Sequence, residues 1–212
     1  MSLPRAVLRA IRKPPRILAR RLADEAKGSL ERLLAPRRAR GLDEGRLLGK
    51  FGELRTADLW RQIAERPYPF HTAAVALRLR EQICPGDAAR VIASAEGALA
   101  HRVDVLGSGP ADLGPRIDWS RDFKAGISWP RRFMRDIPLV NSGDGSDVKV
   151  PWELSRLQWL IPAGQAYLLT GDERYAAEVR SVLEDWIEAN PYSASVNWTI
   201  AMEAALRILT WT

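Results

Sequence analysis

Two pairs of oppositely charged residues stand at helical spacing in the C-terminal third of the sequence. Glu153 and Arg156 are three residues apart, and Glu203 and Arg207 are four apart, so each pair can meet on its own helix surface. Such pairs contribute little stability if they are exposed. Arginine, however, presents planar, paired donors that suit carboxylate or sulfate groups. The two arginines are therefore candidates for binding an acid group of a ligand.

Tryptophan side chains are the second set of candidate contacts. Trp119 and Trp129 lie in a stretch rich in glycine and proline, where an indole face can stack on the C–H face of a sugar ring. Trp152 and Trp198 stand beside the charged pairs, and Asn197 precedes Trp198. A structural interpretation stays open beside the functional one. In it, the loop tryptophans anchor a long loop, and the polar residues fix a turn and a helix start.

The elements that must position these side chains are three predicted helices between Asp147 and Trp211. The first, WELSRLQWLIPAGQAYLLTG, is expected to kink at Pro162 and to end at Gly171. Asp172 is expected to cap the second, ERYAAEVRSVLEDWIEAN, whose apolar residues follow a helical period. A third helix is expected to begin near Asn197. Antiparallel helices joined by turns this short indicate an array of helical hairpins.

Helices are also predicted before this stretch. Thr56 is expected to cap ADLWRQIAER, a second helix is expected over TAAVALRLREQI, and Asp87 is expected to cap AARVIASAEGALAHRVDVLG. Between Gly107 and Val150, glycines and prolines preclude a long helix. The aromatic residues of that segment predict a long ordered loop rather than a free one.

The first 41 residues are interpreted as a basic, arginine-rich arm. They contain twelve Lys or Arg and three Asp or Glu, whereas the whole chain of 212 residues has a formal net charge of +6. Apolar residues at helical spacing predict helix, and Pro14 and Pro15 separate a first short helix from the next. The arm either binds a membrane surface or nucleic acid, or is a solvated extension that packs a few leucines on the body. It has no aromatic residues, so we expect no nucleic-acid partner.

Scarce cysteine and histidine limit the chemistry available to the chain. The single Cys84 excludes an internal disulfide and a cysteine-rich zinc site. His71 has no second ligand four residues away and is predicted to start a helix, and His101 is predicted to lie near a helix C-terminus. We therefore expect neither a metal nor a cofactor. No apolar run reaches the roughly 18 residues of a transmembrane helix, and prolines and arginines interrupt every candidate secretory signal.

Five short motifs give the sequence a family resemblance. Their order and spacing resemble the N-terminal helical domain of the heparinase II/III-like polysaccharide lyases. The motifs are IDWSRDF (117–123), DxKxPWELSRLQ (147–158), TGDERYA (170–176), DWIxxNP (185–191) and NWxxAMExALR (197–207).

The resemblance implies an all-α fold in which residues 42–212 form the N-terminal part of an (α/α) toroid of antiparallel helical hairpins. It also implies a groove that binds an acidic, uronate-containing polysaccharide, which the full-length enzyme cleaves by β-elimination. The residues expected to contact the sugar are Trp119, Trp129, Trp152, Glu153, Arg156, Asn197, Trp198, Glu203 and Arg207.

The catalytic residues implied by the resemblance are an Asn-His motif beyond the NW run, followed by a tyrosine and a further histidine. None of these has a counterpart here, so no catalytic residue is assigned in this chain. We expect a fragment that is inactive alone and that needs the rest of the toroid and a β-rich domain as partners. The alternative is a non-catalytic glycan-binding or assembly protein of bacterial polysaccharide biosynthesis. Localisation stays open, since the resemblance implies the periplasm, whereas no secretory signal is visible and a cytoplasmic location is possible.

Overall fold

The computed structural model describes residues 14–41, 43–50, 52, 55–65, 82, 84–139 and 143–211. The chain divides into two compact units, residues 1–43 and residues 44–212. The described residues are mostly helical, in agreement with the predicted all-α class. His71, the segment before Pro14 and almost all of the helix predicted over TAAVALRLREQI fall outside the described residues.

The first unit contains one long helix, α1 (Pro15–Arg40). Pro15 occupies its first turn, where a missing N–H costs nothing because that donor has no partner within the helix. Arginines in the last turn complement the negative end of the helix dipole. Leu22 and Leu33 are largely exposed, at 71% and 67%. No helix among the described residues is long and apolar enough to span a bilayer.

The second unit holds further helices and a small amount of strand. Those whose bounds lie within the described residues are α2 (Glu44–Gly49), α3 (Thr56–Ala64), α4 (Asp87–Leu99), α5 (Lys149–Ser155), α6 (Ile161–Thr170), α7 (Glu173–Ala189) and α8 (Ala201–Trp211). Single turns of 3-10 helix cover Met134–Asp136, Gln158–Leu160 and Val196–Trp198.

Small side chains let three of these helices pack closely. Helix α6 packs against both α4 and α7. Ala95, Ala163 and Ala166 are fully or almost fully buried at these contacts, because a methyl group allows two helix backbones to approach. The hydroxyl of Tyr175 donates to Glu96 Oε1 at 2.7 Å and so ties α7 to α4.

A second apolar cluster packs against Trp198, one of the predicted contact residues. It combines residues of α5, α7 and the segment after α4, with Trp119, Leu154, Leu157 and Trp186 each exposed by 2% or less. At about 25 cal/mol per Å² of apolar surface, each of these side chains stabilises the fold by roughly 2–3 kcal/mol before entropy is counted. This cluster holds the 3-10 turn of Val196–Trp198 and the start of α8 in place through Trp198.

The prediction of one long helix from Asp87 to Gly107 is wrong. Helix α4 ends at Leu99, and His101 adopts a left-handed backbone with φ of 51°. The chain then forms strand β1 (Arg102–Val103), which pairs antiparallel with β2 (Ala111–Asp112). A second hairpin joins β3 (Arg121–Asp122) to β4 (Ile127–Ser128). The apolar period misled the prediction because Val103 is buried from a strand rather than from a helix.

His101 lies beyond the helix end and bridges two other parts of the unit. Its Nδ1 is 2.8 Å from the carbonyl oxygen of Gly114, and its Nε2 is 2.9 Å from Glu178 Oε1 on α7. These two contacts oppose continuation of α4, because a helical His101 would point elsewhere. His101 lies two residues beyond the end of α4, so its predicted position near a helix C-terminus is confirmed.

The predicted kinked helix from Trp152 to Gly171 is two helices instead. Helix α5 ends at Ser155, and Leu157 has a left-handed backbone with φ of 60°. Pro162 stands in the first turn of α6, where proline is tolerated, and does not kink a continuous helix. Because the helix breaks here, the side chain of Leu157 lies in the core and is 1% exposed. Burial of this leucine therefore offsets the strain of its backbone.

The turns around α7 match the prediction. Gly171 ends α6 with φ of 70°, a conformation that glycine adopts without a Cβ penalty. Asp172 caps α7, and its Oδ1 accepts from the Arg174 backbone N–H at 3.0 Å. The third predicted helix begins as the 3-10 turn of Val196–Trp198, with Ser195 as its cap, before α8 starts at Ala201.

Candidate functional site

Arg156 links α5 to α8 because it binds one carboxylate on each helix. Its Nε and Nη2 donate to Oε2 and Oε1 of Glu203, each at 2.9 Å, in a bidentate pair. Its Nη1 donates to Oε2 of Glu153 on the preceding turn. The Glu203 pairing is the largest cause of a raised pKa for Arg156, so this guanidinium stays charged.

The pairing predicted from spacing is right for Glu153 with Arg156 and wrong for Glu203 with Arg207. Glu203 turns inward to Arg156, across 47 residues of sequence, and has no exposed surface. Glu153 and Arg156 each keep 21% of their side chains exposed. The pair at the surface can reach a ligand, whereas Glu203 lies beneath and holds Arg156 in position.

Arg207 is a buried cation between two indole rings. Its Cζ lies 4.8 Å from the ring centroid of Trp186 and 5.1 Å from that of Trp198. Its Nη2 donates to the carbonyl oxygen of Asn197 at 2.8 Å. Burial lowers the pKa of Arg207 to about 10, and the nearby charge of Glu203 opposes that effect. The residue fixes the 3-10 turn that carries Asn197 and Trp198.

Asn197 is fully buried at the junction of three segments. Its Nδ2 donates to the carbonyl oxygen of Trp119 and to Oδ1 of Asn190, both at 2.9 Å. Ser195 Oγ also donates to Asn190 Oδ1, at 2.7 Å. Because both partners of Nδ2 are acceptors, an aspartate could not replace this amide.

Trp119 and Trp152 are buried, and each indole N–H has a protein partner. Trp119 Nε1 donates to Asp185 Oδ2 at 2.7 Å, and Trp152 Nε1 donates to the carbonyl oxygen of Val196 at 3.0 Å. Only 2% and 8% of the two residues are exposed. Their ring faces pack in the core in this structure, and they support the site from below.

Trp198 and Trp129 are only partly buried, so part of each ring remains accessible. Trp198 Nε1 donates to the carbonyl oxygen of Asn190 at 2.9 Å, and Tyr192 meets its ring edge-on at 5.3 Å between centroids. Trp129 Nε1 donates to the carbonyl oxygen of Pro138 at 3.1 Å. The structure brings Trp198 together with the charged network through Arg207, and it places Trp129 in the loop after β4.

Asp122 is a structural centre that the sequence interpretation missed. It is 1% exposed, and its two oxygens accept from three backbone N–H groups, those of Lys124, Ala125 and Asp147. It thereby joins the turn of the second hairpin to the entry of α5. The available signal was the second Asp of IDWSRDF, which stands between Arg121 and Phe123 without an obvious surface role.

Metal-binding residues do not converge in this part of the chain. Among the described residues, no group of three or more His, Cys, Asp or Glu side chains is arranged to hold a metal ion. The candidate site consists of a guanidinium shared by two carboxylates, a buried amide and a partly exposed indole. Such a surface can position a polar ligand through hydrogen bonds and ring stacking.

Comparison with known proteins gives a consistent family assignment. The profile described as heparinase II/III N-terminus matches residues 87–211. A heparin-sulfate lyase of Bacteroides stercoris is 44% identical over 45 residues, which are 21% of this chain and 7% of that enzyme. A heparin-sulfate lyase of Bacteroides thetaiotaomicron is 46% identical over 39 residues, 18% of this chain and 6% of that enzyme. The matched segments thus cover a small fraction of both lyases. No solved structure matches the chain.

Proposed function

The chain belongs to the heparinase II/III family through its N-terminal domain, and from this premise we propose that it forms a substrate-groove wall of a polysaccharide lyase. The observation that carries the proposal is the family match over residues 87–211, which includes the whole Arg156 network. Helices α4, α6 and α7 would be consecutive members of an (α/α) toroid. The substrate would be an acidic, uronate-containing polysaccharide.

The proposed reaction is β-elimination at a uronate unit. A base removes the C5 proton, the bond between C4 and its glycosidic oxygen breaks, and a C4–C5 double bond forms. A proton delivered to the leaving oxygen balances the step. The C5 proton is weakly acidic, so the adjacent carboxylate must be neutralised or hydrogen-bonded first. The catalytic groups would be supplied by the Asn-His motif and tyrosine that such lyases carry beyond the NW run.

In this proposal the partly exposed side chains contact the polysaccharide. Arg156 offers its remaining N–H groups to a sugar acid or hydroxyl, and Glu153 accepts from a hydroxyl. Trp198 and Trp129 offer ring surface. The buried members of the predicted set support these contacts and define their geometry; they are Trp119, Trp152, Asn197, Glu203 and Arg207.

The test compares this chain with the longest polypeptide that its reading frame encodes. Both are incubated with heparin, heparan sulfate, hyaluronan and alginate, and unsaturated sugar ends are followed by their ultraviolet absorbance. We expect both to bind at least one acidic polysaccharide and only the longer polypeptide to release absorbing product. Binding without product from either one would support the non-catalytic glycan-binding alternative. Absence of binding to every acidic polysaccharide would contradict the proposal.

A further inference from the structure

A polar cleft of about 300 Å³ opens where the chain enters α5. Its volume is at the lower end of the roughly 300–1,000 Å³ typical of small-molecule sites. The cleft draws its walls from the loop after β1, the turn of the second hairpin and the segment before α5. Its lining residues are Leu106, Asp122, Lys124, Gly145, Asp147, Lys149 and Val150.

Asp122 sets the geometry of this cleft. Its Oδ1 accepts from the backbone N–H groups of Lys124 and Ala125 at 2.8 and 3.0 Å, and its Oδ2 accepts from that of Asp147 at 2.8 Å. A buried carboxylate thus fixes the turn that carries Lys124 against the segment that carries Asp147 and Lys149. Two lysines that are 25 residues apart in sequence are brought to one opening by these bonds.

The side chains at the opening retain binding capacity. Lys124 Nζ donates to the carbonyl oxygen of Leu106 at 3.3 Å, and an ammonium group has three donors. Lys149 is exposed, as is Asp147, whose Oδ1 accepts from the Lys149 backbone N–H at 2.9 Å. The second oxygen of Asp147 can accept from a ligand. The motif DxK therefore places one acceptor and one cation at the same cleft.

We propose that this cleft is a subsite for an acidic sugar unit of the polysaccharide. Lys124 and Lys149 bind the carboxylate or sulfate of the sugar, and Asp147 accepts a hydrogen bond from one of its hydroxyls. The mixed lining fits a ligand that carries both an acid group and hydroxyls. Among the described residues no aromatic side chain lines the cleft, so stacking of a nucleic-acid base has no support there. The inference rests on the proposed function, since it names a contact of that polysaccharide.

The decisive experiment measures binding of the whole chain to heparin and to alginate oligosaccharides by calorimetry at two salt concentrations. We expect K124Q and K149Q each to weaken binding about threefold to tenfold and the double variant to weaken it at least tenfold, with a shallower salt dependence. K50Q removes the same charge from a residue that does not line the cleft and should change affinity less than twofold. A larger loss on heparin than on alginate would identify sulfate as the preferred acid group, and the reverse would identify carboxylate.

D147N separates a built subsite from general attraction between charges. Asparagine keeps the oxygen that accepts from the Lys149 N–H but replaces the other acceptor with a donor. The subsite predicts weaker binding, whereas attraction by net charge predicts tighter binding, because one negative charge is lost. If the wild-type chain binds an acidic polysaccharide and K124Q and K149Q change its affinity no more than K50Q does, the subsite is wrong and the proposed function stands. If the wild-type chain binds no acidic polysaccharide, the proposed function fails as well.

Discussion

At the scale of single residues, Arg156 decides whether Glu203 can remain buried. Glu203 has no exposed surface, and its carboxylate accepts two hydrogen bonds from this guanidinium. We expect R156A to lower the free energy of unfolding by about 3–5 kcal/mol, since it leaves a buried charge without a partner. Urea denaturation measures the loss. E153Q changes a carboxylate that is 21% exposed in the same network and should cost about 1 kcal/mol or less.

A double variant tests the cause of that loss. R156A with E203Q removes the unpaired charge, so it should be more stable than R156A alone. Equal stability of the single and double variants would show that the cost comes from lost packing of the arginine stem rather than from the buried carboxylate.

Arg207 is expected to give the molecule an alkaline pH dependence. Burial lowers its pKa to about 10 in the folded state, below the ordinary value of an arginine. Between these two values the unfolded chain binds more protons, so folding stability should rise with pH in this window, and the penalty of the buried cation is fully present below about pH 10. The unfolding free energy of wild type minus that of R207M should increase by up to about 1.4 kcal/mol per pH unit above pH 10. A flat difference up to about pH 11 would mean that the two indoles keep the cation protonated.

Spacing in the sequence predicted the partner of Glu153 but not that of Glu203. Spacing along one helix suggested Glu203 with Arg207, whereas the fold pairs Glu203 with Arg156, 47 residues away. Helical periodicity contains no information about contacts between helices. Burial was equally hidden, because Trp119 and Trp129 are the same residue type in the same loop, and only Trp119 lies in the core.

At the scale of elements, local signals succeeded at the turn between α6 and α7, but failed at the start of α4, where Gly86 rather than Asp87 is the cap, and at the helix breaks. Gly171 and Asp172 act through their own backbone conformation and side-chain reach, which are local properties. The break at Leu157 has no local signal, since leucine favours helix and disfavours a positive φ. Burial in the tertiary structure overrides both preferences.

Replacing the cap of α7 has a defined cost. D172A removes the acceptor of the Arg174 backbone N–H and should lower the unfolding free energy by about 1 kcal/mol. D172N keeps an acceptor at the same position and should lose less. Thermal unfolding followed by circular dichroism compares the two. Equal losses would indicate that the ion pair between Asp172 and Arg174, rather than the cap, stabilises the helix start.

Leu106 offers a stabilising substitution in the loop after β1. It combines a left-handed φ of 53° with 45% exposure, so its side chain contributes little burial to offset backbone strain. L106G should raise the unfolding free energy by up to about 1 kcal/mol. L157G is the matched contrast, because Leu157 has the same backbone strain but is buried. This replacement should destabilise the fold by about 2 kcal/mol or more. If L106G were less stable than the wild type, the packing of the Leu106 side chain would outweigh the strain of its backbone.

At the scale of the whole molecule, charge and candidate contacts are separated between the two units. Residues 1–43 contain twelve Lys or Arg and four Asp or Glu, whereas residues 44–212 contain twenty and twenty-two. Under the proposed function, long-range attraction of the polysaccharide would therefore come from the first unit, while Arg156 and the polar cleft at the entry of α5 lie in the second. Deleting residues 1–43 should slow association with heparin and reduce its salt dependence, since fewer charges contribute. Selectivity among oligosaccharides of equal charge should persist, because short-range contacts in the second unit determine it.

Association and dissociation rates at several salt concentrations test this division. Urea unfolding of the deletion variant must first give a cooperative transition, which the compactness of residues 44–212 predicts. Replacing Arg37, Arg38 and Arg40 with glutamine in the full chain provides the matched control, because it lowers the charge of the first unit without shortening it. Both variants should associate more slowly and dissociate at nearly the wild-type rate from a short uronate oligosaccharide. Loss of all selectivity on deletion would instead place recognition in the basic helix, and the candidate contact residues of the second unit would then have no part in it.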